Sequence, residues 1–238
     1  MQLLAGLPIE VNDVGSVYPL KLREIAQISE TKYNNYLGAL LFNLEDVEQY
    51  HTIENIDKLN SFDILCLFCI QDDSFKNVCL DAIKCFFKKD SIFIKDHMIF
   101  VIGDINEKKI LHRNNFEQLK SILRKQNCIK QKREEEYNPA NAEAEEFIKE
   151  IEKKNKIYAK IKKKDDITLY SIISSIAWKS HIGINAVWDL TIYQLYDAYH
   201  RLGLIDNYDK TMHGIYSGTI DSKKIKLKEI DWSKDISL

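Results

Sequence analysis

The residues best suited to chemistry in this chain are thiols and imidazoles. Cys66-Leu67-Phe68-Cys69 has the spacing of a redox pair or of half a zinc site. No second C-x-x-C and no H-x-x-x-H follows at a suitable distance, and neither Gly nor Pro separates the two thiols. The expectation is therefore packing cysteines, since an isolated buried thiol behaves as a small hydrophobe. His181, His200 and His213 fall in the C-terminal half at spacings that match no common ligand set. The run Lys153 to Lys164 holds seven lysines and could contact phosphates. It follows an equally dense glutamate run and carries one aromatic, Tyr158, where single-strand binders interleave several, so it reads as a solvated helix face. A glycine loop for phosphate, a G-x-S-x-G and an H-E-x-x-H are all missing from the sequence. A non-enzymatic protein with no metal and no cofactor is expected.

The clearest design in the chain is amphipathic, at Val187 to Leu204. Ile192, Leu195, Tyr196, Tyr199 and Leu202 share one helical stripe, with Gln194, Asp197 and Arg201 facing away. Asp189 is the expected N-cap, and Gly203 the expected left-handed C-cap. Tyrosine and tryptophan keep a polar edge that tolerates water, and interface anchors are enriched in both. Trp188, Tyr193, Tyr196 and Tyr199 are accordingly the candidate partner-binding residues, with Leu195 and Leu202 assigned to the core.

Composition bounds the class. A 238-residue chain that is 45% hydrophobic has material for a packed core, and 34 basic against 36 acidic residues leave a formal charge of -2. Such a balance creates no global field for nucleic acid or anionic membranes. Eight Gly and three Pro argue against an all-β chain rich in tight turns and favour helices. Five cysteines read as reduced thiols of a cytoplasmic protein. The first residues carry no basic region and meet Pro8, unlike a signal peptide, and no apolar run reaches about 18 residues.

Along the chain, residues 7–19 read as a hairpin, followed by helices around 22–26 and 33–44. Phe62 to Ile70 is apolar all round, so periodicity does not separate helix from strand; helix is preferred. Asp72 caps a strong helix over 75–87. Short strands are expected at 92–94, 98–102 and 110–112, then a helix over 116–127 capped by Asn114 or Asn115. From Lys130 the composition turns to charge, with Asn138-Pro139 opening an exposed helix. Asp166 is the expected cap of a helix over 169–177, a separate helix is expected over 206–217 with Gly218 as its stop, and the tail at Ile225 and Leu227 reads as an edge strand or an extended arm. The fold class is α+β, predominantly helical: an α+β unit with a small antiparallel sheet over 1–130, a charged linker helix over 131–165 and a helical unit over 166–238.

In their order these segments resemble bacteriophage tail assembly chaperones. The resemblance rests on the hairpin leading to Tyr18–Ile28 (YPLKLREIAQI), a small β region ending in the Asn114–Asn127 helix, the Asn138–Phe147 charged helix, and Trp188–Leu202 with a closing short strand and Trp232. It implies a non-enzymatic protein that holds the tape measure protein, or contacts the tube protein, while the tail forms in the host cytoplasm. This chain is longer than the smaller chaperones of that kind, which leaves a place in the virion tail or the baseplate open. A homo-oligomer also stays open, as does a small nucleic-acid or regulatory binding module using the lysine-rich helix.

Overall fold

The computed structural model describes residues 1–42, 59–130, 167–221, 223 and 225–236. The lysine run, the charged helix expected over 131–165 and Asp166 lie outside these residues. The fold is α+β and predominantly helical, as composition and periodicity predict.

The chain opens on a hairpin, β1 (Ile9–Val11) paired antiparallel with β2 (Gly15–Val17), Ile9 opposite Val17. Its turn needs two left-handed or near-left-handed residues, and Asp13 (φ 61°) and Gly15 (φ 122°) provide them at low strain. Val11, Val14 and Val17 are buried, so the hairpin is a flap of the core. The amide of Tyr18 donates to the Phe86 carbonyl at 2.8 Å and fixes its exit.

Four helices follow among the described residues, α1 (Leu22–Ile28), α2 (Glu30–Leu41), α3 (Ser61–Gln71) and α4 (Asp73–Phe87). The ambiguous apolar run is α3, and its start explains why. Asn60 accepts from the Asp63 amide at 2.9 Å while Asp63 accepts from the Asn60 amide at 3.0 Å, a reciprocal cap that only a helix can use. Asp72 caps α4 through the Ser74 amide at 2.7 Å, and Lys88 ends it in the left-handed region. A three-stranded antiparallel meander comes next: β3 (Ser91–Ile94), β4 (Ile99–Ile102) and β5 (Ile110–Leu111), with Phe93 opposite Phe100 and Phe100 opposite Leu111. Helix α5 (Arg113–Gln126) is capped by His112, not by Asn114 or Asn115. The imidazole Nδ1 accepts from the Asn114 amide at 3.1 Å, and Asn115 serves as the reciprocal partner, accepting from the His112 amide at 2.8 Å.

The C-terminal part comprises α6 (Leu169–Lys179), the single turn α7 (Ile184–Val187) and α8 (Ile192–Tyr216). Three sequence expectations are corrected here. Thr168 caps α6, its Oγ1 accepting from the Ser171 amide at 3.2 Å. Thr191, not Asp189, caps α8 in a box with Gln194. Asp189 is instead drawn to Lys21 and Arg23 of the N-terminal part, 3.7 Å from each. Gly203 does not end the helix; α8 continues through it and absorbs the separate helix expected over 206–217, until Gly218 (φ 75°) closes it. One glycine inside a helix weakens it by only about 1 kcal/mol, and the bond from Lys179 to Asp206 crosses this point from α6. No strand forms among the described tail residues; the Arg201 guanidinium instead holds the carbonyls of Trp232 and Lys234.

A single apolar cluster runs from Val11 through Leu40, Leu65, Phe86, Phe100 and Phe116 to Ile172, Ile176, Val187 and Leu195. Helix α1 shows how closely the two ends of the chain are joined. Its first amides, Leu22 and Arg23, have no partner within the helix, and they donate to the carbonyls of Leu190 (2.8 Å) and Trp188 (2.9 Å). Gln194 reaches the Leu4 carbonyl at 2.9 Å across the same seam. Lys120 is the one buried lysine among the described residues. Its amine donates to the Phe42 carbonyl and pairs with Glu117, both at 3.3 Å, with the Phe42 and Phe116 rings alongside. Desolvation lowers its pKa.

Candidate partner-binding surface

The groups singled out for chemistry are packed as structure. Cys66, Cys69 and Cys79 are buried at the α3–α4 contact, and burial pushes the Cys66 thiol up to about 12. The Cys79 thiol is raised by its hydrogen bond with Cys69 and by burial. Thiols held protonated are poor nucleophiles. His181, His200 and His213 are all exposed, and among the described residues no three His, Cys, Asp or Glu side chains stand where one metal ion could hold them together.

The α8 stripe divides along its length. Ile192 and Leu195 are buried; Tyr196, Tyr199 and Leu202 are half-buried against the core. Trp188 lies half-buried just before the helix, packed on the cluster, with its carbonyl used by Arg23. Tyr193 is half-buried but is not packed on the cluster, and burial raises the pKa of both the Tyr193 and Tyr196 phenols. The four candidate aromatics therefore share one element and its entrance, with part of each ring open to solvent. Tyr199 also borders an open cavity of about 640 Å³ between α6, α8 and the tail, together with Ile176, Lys179, Leu202 and Asp206.

A second aromatic face went unmarked by periodicity. On α6 the buried side is Ile172, Ile173, Ile176 and Ala177, while Tyr170 and Trp178 point out, 77% and 76% exposed. Ile167, Ile182 and Ile184, before and after the helix in sequence, are exposed as well. A sequence signal was there to be used: residues 167–188 hold one formal charge, Lys179, in a chain that is 29% charged.

Both aromatic faces fall within one recognisable module. Residues 161–237 match the family model described as the YomV second domain. That family is phage-derived, so the similarity points to a phage protein and specifies no tail role. No curated protein and no solved structure matches the chain. Among the described residues no helix is long and apolar enough to cross a membrane. The YomV-like segment contains Trp188, Tyr193, Tyr196 and Tyr199 on or beside α8, and Tyr170 and Trp178 on α6.

Proposed function

We propose that this chain is a non-enzymatic phage tail morphogenesis protein that binds a helical partner, such as the tape measure protein, during tail assembly in the host cytoplasm. The observation that carries the reading is the half-buried aromatic edge of α8, where Tyr193 and Tyr199 are each partly open to solvent and Tyr199 borders an open cavity. An amphipathic helix laid into such an edge gains by covering those rings, and tyrosine loses little side-chain freedom when it anchors a contact. The similarity to a phage-derived domain family over the same residues supports it.

The test is calorimetric titration of the purified chain with a phage tape measure protein, at low and at high salt. Apolar docking keeps its affinity as salt rises, and Tyr199→Ala and Tyr193→Ala weaken it about tenfold or more, the loss typical of an anchor residue. Binding unchanged by either substitution would remove α8 as the docking edge. A steep fall with salt, together with binding to nucleic acid, would favour the regulatory module.

A further inference from the structure

We infer that the outward face of α6 is a self-association surface, through which two copies of this chain pair by an antiparallel, two-fold packing of α6 on α6 centred at Ser174. The inference does not rest on the proposed tail role, because it concerns a different helix face and a different partner.

The first observation is exposure. Tyr170 (77%), Trp178 (76%), Ile167 (63%), Ile182 (47%) and Ile184 (41%) are large apolar side chains left exposed on α6 and on the chain just before and after it. An aromatic side chain covers about 150–250 Å², so together they offer on the order of 600 Å² per protomer. Two such surfaces meet at about 1,200 Å², the lower end of specific protein interfaces, and about 600 Å² on one protomer is at the top of the range for the largest apolar patch of a typical monomer.

The second observation concerns charge. A contact between identical surfaces brings each group near a copy of itself or of its neighbours, so a charged face repels itself. Over residues 167–188 the one formal charge is Lys179, and it is tied to Asp206 of α8. An uncharged strip is what self-pairing requires.

The third is the arrangement along the helix. Tyr170, Ser174 and Trp178 are four residues apart on one face. With a rise of 1.5 Å per residue the two rings stand about 12 Å apart, with a small side chain midway. Turning a second copy about an axis through Ser174 lays each Trp178 over the partner's Tyr170, while the serines let the helices approach closely. Ile167 then faces the end of the partner's helix, near Ile182. Such reciprocity marks a two-fold contact and is not needed by a surface that binds an unrelated protein.

The experiment is sedimentation equilibrium on the full chain from about 1 to about 500 µM, a range suited to a weak dimer. Wild type should pass from monomer to dimer across that range. Ser174→Lys and Ser174→Glu, placed on the axis, should each weaken the dimer on the order of a hundredfold through self-repulsion. An equimolar mixture of the two should recover it, because opposite charges then meet. Trp178→Ser should also abolish the dimer, while Tyr216→Ser, on the last turn of α8 and 79% exposed, should not. This second pair decides the matter even if a Ser174 variant fails to fold. Monomeric wild type at every concentration would overturn the inference. So would a dimer indifferent to Ser174 charge and to Trp178, or one that the mixture does not restore.

Discussion

Leu195 and Tyr199 lie one turn apart on the same stripe of α8, yet truncating them should have different consequences. Leu195 is fully buried within the apolar cluster shared by both ends of the chain. Leu195→Ala therefore removes atoms from a sealed site that cannot collapse freely, and should cost about 3 to 4 kcal/mol, within the usual range for such changes. For a chain of this size about 1 kcal/mol shifts Tm by about 2–4 °C, so a fall on the order of 10 °C is expected. Tyr199 is half-buried and borders a cavity open to water. Its truncation widens a solvated space instead of creating a dry void, so the loss should be about 1 to 2 kcal/mol. Urea denaturation followed by far-UV circular dichroism, with the slope compared between variants, measures both. Equal losses for the two, or less than about 1 kcal/mol for Leu195→Ala, would show that the stripe is uniform and that the division between core and edge is wrong.

A protease site inserted between residues 131 and 166 and then cut should yield fragments that still elute together, because the seam at Leu22, Arg23, Trp188 and Leu190 and the shared cluster join them; separate elution in native buffer would contradict this. Alkylation of the native protein should label Cys85 and Cys128, both half-buried, before Cys66, Cys69 and Cys79, and mass spectrometry reads the order. Chelator and reductant should leave Tm unchanged, whereas loss of a structural metal would lower it. Acid should destabilise the fold through Glu107, whose carboxyl the hydrogen bonds from Lys89 and Lys109 lower to about 2. Because its folded value lies below its unfolded one, this contribution is complete above about pH 4.5 and fades as pH falls toward 2. Glu107→Gln should flatten the acid limb of a Tm-against-pH curve, and an unchanged limb would show the pair to be idle.

Much of the fold was legible where the determining contacts are local. Asp72 and the apolar spacing of α4 mark that helix without help from the rest of the chain, as Asn12-Asp13 and Gly15 mark the hairpin. The misses have non-local causes. Asp189 has the chemistry of a cap, but Lys21 and Arg23 from far along the chain engage it, and Thr191 two residues on takes the role. Gly203 has the chemistry of a stop, but α6 grips α8 beyond it through Lys179 and Asp206. His112 displaces Asn115 as a cap because Asn115 also donates to the carbonyls of Ile110 (2.9 Å) and Asn12 (3.3 Å). The exposed rings of α6 escaped notice for another reason: periodicity finds the buried side of a helix and is silent on what occupies the other. Of the candidate surface, the α8 aromatics were visible in the sequence; that Tyr199 edges a cavity was not, since the cavity needs α6 and the tail.

The seam at α1 also governs when the fold can be completed. As the ribosome extends the chain, the first turn of α1 is made early, but the carbonyls that take its leading amides belong to Trp188 and Leu190. At roughly 5–20 residues per second the wait is on the order of ten to thirty seconds, during which water must occupy those amides. The N-terminal hydrophobic surface meant for Val187, Ile192 and Leu195 is bare for the same interval. The nascent chain therefore carries an open apolar flank until residues 187–195 have been made, which makes a stop before Val187 a hazard for aggregation of everything already synthesised.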